Sequence, residues 1–326
     1  LGTDHNDLVI TAEDALSVVP DMINIYDEPF ADSSQIPSYL VCKLARQDVT
    51  VCLTGDGGDE VFAGYNRHRW SGRISALQSL VPQQIRNELS RRLLAMPDSV
   101  SSTSFAIFDK LLPESMSVRD PAEKVRKLAA AIGTSNTTEL YKNLAEQLDA
   151  SILLDDIAPP NVIADEPKNW PELPDLAHQL LYLDTVSYLP NDILTKLDRA
   201  SMAVSLEARI PILDHRIVEF SWTLPPSLRT KTSKSKLLLR EVLRKFVPDE
   251  LFERPKWGFA IPVGQWLRGP LREWAESHLS ETSLRSQGLF NVNEVRKMWD
   301  MHLSKKQNLE SKIWTVLMLT AWLNNS

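Results

Sequence analysis

The stretch Val49–Leu53 (VTVCL) constrains the fold most, because a glycine cluster follows it at once. The run is apolar, rich in β-branched residues and bounded by polar and glycine residues. Those are the marks of a buried parallel strand. Gly55, Gly57 and Gly58 come next, and a helix is predicted to start near Asp59. Strand, glycine turn and helix, in that order, place a ligand at the carboxyl edge of a parallel sheet. The fold class expected is α/β, with a small sheet portion leading into a larger helical one.

The flanking sequence fills in that map. Leu8–Ile10 reads as the end of a strand. Thr11 followed by Asp14 forms an acidic capping box, opening a helix over 12–26 that Asp27-Glu28-Pro29 stops. Ser33 or Ser34 caps a second helix running to about Arg46, with Pro37 in its first turns. Helical apolar spacing recurs near 74–96, 121–131, 138–149, 176–189, 234–246, 271–279 and 293–323, with proline-bearing breaks near 158–174 and 248–262.

Composition excludes some functions. A net charge of −7 and a pI of about 5.5 argue against a general nucleic-acid binder. The longest apolar runs, Leu128–Ile132 and Val316–Leu319, are far too short to span a bilayer. No charged-then-apolar leader opens the chain, and Cys42 and Cys52 lie in apolar surroundings without metal-ligand spacing. Both are expected to be buried free thiols in a reducing cytoplasm. None of the six histidines pairs with another at metal spacing, so no zinc site is assigned.

The densest chemistry is Thr54-Gly55-Asp56-Gly57-Gly58-Asp59-Glu60, continuing to Gly64-Tyr65. Three glycines let the backbone approach a ligand closely, and free N–H groups at the helix start suit a phosphate. Three carboxylates in the same turn would repel bare phosphate, so the bridge expected is Mg²⁺, held by one or two carboxylates and by phosphate oxygens. The turn is not a Walker A loop, because no Gly-Lys-Ser/Thr follows, nor is it G-x-G-x-x-G, because position 60 is Glu.

Further candidates lie downstream. Asp192, Lys196 and Arg199 fall on nearby faces of one helix, which by spacing alone is an exposed salt-bridge ladder. Arg209 and Asp214 are expected to be buried and paired. The basic run Arg229–Lys236 reads as a solvated helix start. Lys256 lies in a loop bounded by Pro255 and Gly258 and flanked by Trp257 and Phe259.

LTGDGGDEVFAGYNRH resembles the turn of the asparagine synthase family, a Ser-Gly-Glu/Asp-Gly-x-Asp-Glu sequence ending in Gly-Tyr. LGTDH, DEPFADSSQIPSY, LPNDILTKLDRASMAVSLEARIPILDH and ERPKWGF match the same family in the same order, from residue 1 to about residue 268. The resemblance implies an ATP-pyrophosphatase-type synthetase fold. Residues 1–70 would be the later part of its sheet, and 71–326 a helical portion lending site residues from 190–215 and 250–262. It implies activation of the aspartate side-chain carboxylate by ATP, release of pyrophosphate, and amidation by ammonia from a separate glutaminase domain. Thr54, Gly55, Gly57 and Gly58 would line the nucleotide, Asp59 would hold Mg²⁺, and Asp56 and Lys256 would be catalytic. Lys196, Asp192 and Glu60 would meet the substrate.

The family's first nucleotide loop, Ser-Gly-Gly-x-Asp-Ser, does not occur in these 326 residues, and the first residue is Leu. A longer parent beginning upstream is expected, able to form a homodimer, with the isolated chain inactive. Asp56 stands where the best-known members carry Glu, which moves the carboxylate by about 1.5 Å, one carbon–carbon bond. Two alternatives stay open: a relative that amidates or cyclises another carboxylate, and a non-catalytic fragment.

Overall fold

The computed structural model describes residues 2–7, 9–96, 121–145, 148, 150–154, 157, 161–229, 234–253 and 261–325. It is mostly helical around a small parallel sheet, within the α/β class. Strand β1 (Val51–Leu53) pairs with β2 (Glu207–Arg209), Cys52 lying opposite Ala208. The ladder continues past both ends through Glu207 N–H to the Thr50 carbonyl and Thr54 N–H to that of Arg209, each 2.9 Å. Parallel pairing is as expected, but burial is not. Cys52 packs on the core, whereas Val51 and Leu53 on the other face are 40% and 72% exposed. Among the described residues the sheet has two strands, and no layer covers that face.

Before the sheet come α1 (Ala12–Val18), α2 (Met22–Tyr26) and α3 (Gln35–Ala45). The capping box forms as read: Thr11 Oγ1 accepts from Asp14 N–H, and the Asp14 carboxylate accepts from Thr11 N–H. The single helix expected over 12–26 is divided by a 3₁₀ turn at Val19–Asp21, where Pro20 brings no N–H donor. Asp27 ends α2 in the left-handed conformation. Val9 and Ile10 form no strand, and Val9 is 82% exposed; a strand needs a partner, and none lies beside it among the described residues.

After β1 come α4 (Gly58–Val61), α5 (Asn66–Leu80), α6 (Gln83–Leu94), α7 (Pro121–Gly133), α8 (Thr137–Ala145) and α9 (Leu176–Leu183). A π-helix, Asp184–Leu194, runs from α9 into α10 (Thr195–Met202). The sequence pattern predicts a plain helix there. Pro190 lies inside the segment and cannot donate, so the α ladder breaks, and the wider register carries the chain through. The two longest predicted helices also divide, the first at Val81-Pro82 between α5 and α6.

Beyond β2 lie α11 (His215–Thr223), α12 (Pro226–Arg229) and α13 (Leu237–Leu243). Then follow α14 (Val263–Arg268), α15 (Arg272–Leu279), α16 (Glu281–Gln287), α17 (Val292–Leu303) and α18 (Glu310–Asn325). The largest apolar core joins the two ends of the chain: Met22, Tyr26 and Ile36 pack in one cluster with Leu267, Trp299, Trp314 and Leu317. A smaller cluster supports the glycine turn, where Val61 and Phe62 meet Leu213, Leu224, Leu238 and Leu239. Among the described residues no helix is long and apolar enough to cross a membrane.

Several other expectations are corrected. Arg209 and Asp214 do not pair with each other. Exposed Arg209 bonds Glu207 at 2.8 Å, and Asp214 holds Arg216 at 2.8 Å while capping α11. Arg209 ends β2 on an exposed face, and Asp214 is drawn to the orphan N–H groups of α11. The basic run leads into α13 as expected but is only in part solvated, with residues 230–233 outside the described residues. Arg229 is buried and donates to the Ser221 carbonyl, while Lys234 pairs with Glu253 and Lys236 with Asp59. Cys42 and Cys52 are free thiols, but only Cys42 is buried.

Candidate active site around the glycine turn

The turn leaves β1 at Thr54 and enters α4 at Gly58. Gly57 has φ of 79°, and a Cβ there would lie 2.5 Å from Leu213 Cδ2. Both its handedness and its surroundings therefore demand glycine. Among the described residues nothing lies within 4 Å of a Cβ placed on Gly55. Among the described residues, buried Thr54 Oγ1 has no hydrogen-bond partner. Helix α4 starts at Gly58, close to the expected Asp59, but is one turn long, so any dipole it offers a phosphate is small.

The three carboxylates of the turn part company. Asp56 is partly buried between Gly55 and Gly57. Asp59 meets Lys236 Nζ at 3.1 Å, with 23% of its side chain exposed. Glu60 is 1% exposed and accepts from the Tyr65 hydroxyl. Burial pushes the Glu60 carboxyl above its ordinary range, with the Tyr65 bond opposing. Its carboxylate is held by Tyr65, five residues on.

A second cluster forms below. Asp184, Tyr188, Asp192 and Lys196 recur every four residues from the π-helix into α10. Among the described residues Asp192 Oδ1 is buried without a hydrogen-bond partner, and the nearby Tyr188 hydroxyl favours the charged carboxylate against that burial. Lys196 Nζ meets Asp32 Oδ2 at 2.7 Å, and Ser34 donates to Asp32 through both N–H and hydroxyl. Burial pushes Asp32 upward, but the Lys196 ammonium and the Ser34 donors outweigh it and hold the carboxyl below its usual value. Asp192 goes the other way: burial first, then the Asp32 charge, raise it to about 7. Asp192 and Lys196 are therefore no exposed ladder, and of the three residues only Arg199 stays exposed.

Aromatic and ionic contacts tie the two clusters together. Tyr65 and Tyr188 meet edge-on with ring centroids 5.7 Å apart, and Arg67 lies over both rings. Arg67 forks onto the fully buried Asp184 at 2.7 and 2.8 Å, and His68 Nε2 meets the same carboxylate at 2.6 Å. Burial opposes the charge on Asp184, but His68 and Arg67 hold its carboxyl below the ordinary value. Burial lowers His68, leaving a neutral ring beside one true ion pair.

The structure thus brings together Thr54, Gly55, Asp56, Gly57, Gly58, Asp59 and Glu60 in the turn, and Asp192 with Lys196 in the cluster below. Lys256 lies outside the described residues. Sequence reasoning missed Asp32, Tyr65, Arg67, Asp184 and Tyr188. The four-residue recurrence of Asp184, Tyr188 and Asp192 was the one signal for two of them. Among the described residues no group of three or more His, Cys, Asp or Glu side chains is arranged to hold a metal. A Mg²⁺ ion arriving on phosphates asks for only one or two carboxylates, and Asp59 fits that need.

The comparisons bear on the whole chain. The family model described as asparagine synthase matches residues 1–324. "Asparagine synthetase [glutamine-hydrolyzing] 1" of Bacillus subtilis is 28% identical over 324 residues, covering 99% of this chain and 48% of that protein. "Putative asparagine synthetase [glutamine-hydrolyzing]" of Mycobacterium bovis is 27% identical over 323 residues, 99% of this chain and 46% of its own length. "Amidase chyE" of Penicillium rubens is 27% identical over 271 residues, 80% of this chain and 39% of the relative. The chain spans about half the length of the asparagine synthetases it matches. With the family match running from the first residue to residue 324, within α18, the chain belongs to the asparagine synthase family.

Proposed function

We propose that this chain is the synthetase portion of a glutamine-dependent asparagine synthetase, activating the aspartate side-chain carboxylate with ATP. The observation that carries the reading is the juxtaposition of a glycine turn with a carboxylate–lysine–carboxylate cluster, joined through Tyr65 and Tyr188. The cluster complements a free amino acid. Its two carboxylates suit an α-ammonium, and its lysine suits an α-carboxylate.

In this scheme a side-chain carboxylate oxygen attacks the α-phosphorus, the α–β anhydride bond breaks, and pyrophosphate leaves. Ammonia then attacks the acyl carbon, AMP departs, and the nitrogen loses a proton. Backbone groups at Thr54, Gly55, Gly57 and Gly58 line the phosphates, with Gly55 bare on its open side. Magnesium, when bound, would neutralise phosphate charge, and Asp59 would hold it. Asp56 and Lys256 serve the reacting centre, while Asp192, Lys196 and the added Asp32 orient the amino acid. Glu60 acts as a positioning residue through Tyr65.

The test is exchange of labelled pyrophosphate into ATP by the longer protein that carries this chain. Exchange is expected to require aspartate and Mg²⁺. Exchange dependent on a different carboxylic acid would instead favour a second reading, an enzyme amidating another acid. The observation behind that alternative is that a relative matching 80% of this chain carries a name other than asparagine synthetase. The 326-residue chain alone is expected to release no pyrophosphate, since it lacks a Ser-Gly-Gly-x-Asp-Ser loop.

A further inference from the structure

Lys236 belongs to a segment that composition assigns to solvent, yet its ammonium meets the glycine turn at Asp59. Nζ lies 3.1 Å from Asp59 Oδ2, with 29% of the lysine and 23% of the aspartate side chain exposed. A Cβ on Gly58 would lie 3.6 Å from that same nitrogen. A Cβ on Gly64 would lie 1.8 Å from Asp59 Oδ1 and 2.5 Å from Lys236 Cε, so the bare face of Gly64 makes room for the pair. Lys236 itself adopts φ 53° and ψ 41°, a left-handed conformation that costs a non-glycine residue about 1 kcal/mol or more. Helix α13, which begins immediately after it, packs Leu238 and Leu239 into the cluster beneath the turn. The strained lysine is therefore delivered to the turn by an element fixed against it.

We propose that Lys236 is an exchangeable cation of the glycine-turn site, one that neutralises Asp59 until a divalent ion arrives and then binds a phosphate oxygen of the incoming polyphosphate. The proposal rests on the reading of Asp59 as a metal ligand. A lysine suits the exchange because its ammonium is a compact charge on a flexible stem, with three rotatable donors. A divalent ion and an ammonium cannot share one carboxylate at close range without repulsion. The ion therefore competes with Lys236, and the released ammonium stays beside Gly58, where phosphate oxygens would lie. Lys236 thus opposes binding of a bare divalent ion and aids binding of a metal–polyphosphate. A residue that only props the turn would move both affinities in the same direction.

Two titrations of the longer protein that carries this chain test this, using wild type, Lys236→Met, Asp59→Asn and the double variant. Mn²⁺ alone is followed by the spin resonance of the free ion, and inorganic pyrophosphate is titrated calorimetrically at saturating Mg²⁺. Lys236→Met is expected to tighten Mn²⁺ binding about fivefold and weaken pyrophosphate binding about tenfold, the size of one charge-assisted contact. Asp59→Asn should abolish Mn²⁺ binding in both backgrounds. Unchanged Mn²⁺ affinity in Lys236→Met, with Asp59→Asn still abolishing it, overturns the exchange and leaves the Asp59 reading standing. Mn²⁺ binding unaffected by Asp59→Asn, or absent from wild type, overturns both. Affinities that fall together mark a prop and overturn the exchange. Thermal melts check each variant, and Lys236→Gln stands in should Lys236→Met fail to fold.

Discussion

Asp192 carries its proton more tightly in the folded chain than in the unfolded one, its carboxyl being raised from 3.8 to about 7 by burial and by Asp32. Folding gains from that proton below pH 4, and the gain is lost as pH rises through about 7. Lys196 and the Tyr188 hydroxyl soften the loss without removing it. Asp192→Asn should therefore raise stability at pH 8, by on the order of 2 kcal/mol, and change little at pH 4. Urea midpoints at the two pH values check this, and an equal effect at both would remove the linkage. Lys256 makes a different kind of claim, about chemistry. Lys256→Ala in the longer protein should lower kcat and kcat/KM together by about a hundredfold, as for a group that acts as charge develops. A rise in KM for ATP alone would make it a binding residue. The family resemblance pointed to Asp192 and Lys196, whose spacing alone suggested an exposed ladder, but not to Asp32. Its partner Lys196 is 164 positions away, and only the fold brings the two together. Glu60 was legible as a carboxylate in a turn, but its inward aim depends on where the Tyr65 hydroxyl lands.

At the scale of elements, local interactions were the legible ones. Thr11 and Asp14 cap each other across three residues, so the pattern and the structure share the same physics. Ser34 precedes α3 as read, although its hydroxyl bonds Asp32 and makes no cap hydrogen bond. The pairing of β1 with β2 was not legible, because Glu207–Arg209 is short, charged and exposed at both ends. Nor was the π-helix: apolar spacing reports a helical face, while the shift in register follows from Pro190 and the side chains the segment must align. The glycine turn offers the clearest element-scale test. Gly57→Ala introduces both a left-handed alanine and a 2.5 Å encounter with Leu213. The first term costs about 1–2 kcal/mol and the second about 1–3 kcal/mol. Adding Leu213→Ala to Gly57→Ala should remove the second term and leave the first. Relative to Leu213→Ala alone, the glycine change should therefore cost less than it does in wild type. Denaturant titration of the four proteins measures this, and equal costs in both backgrounds would mean that the leucine yields freely.

Across the whole molecule, the motifs end near residue 268 while the family match continues to 324. The physical reason lies in the core. Helices α14–α18 present no reactive side-chain pattern; they bury Leu267, Trp299, Trp314 and Leu317 against Met22, Tyr26 and Ile36 from the other end of the chain. Such a role is spread over many apolar positions and leaves no short signature. It nevertheless reaches the candidate site, because Tyr26 in that core donates its hydroxyl to the Lys196 carbonyl at 3.1 Å. Leu317→Ala is therefore expected to act on more than the final helix. Leu317 is fully buried, and truncation to alanine in such a setting costs about 2–5 kcal/mol through lost transfer energy and the cavity left behind. If the shared core makes the two ends one cooperative unit, tryptophan fluorescence and far-ultraviolet circular dichroism should move to lower denaturant together. Their transitions should also remain coincident in the variant. A fluorescence transition that separates from the dichroism would mean that α14–α18 unfold by themselves. The core would then be two weakly coupled halves, and Lys196 would owe its position to the π-helix rather than to Tyr26.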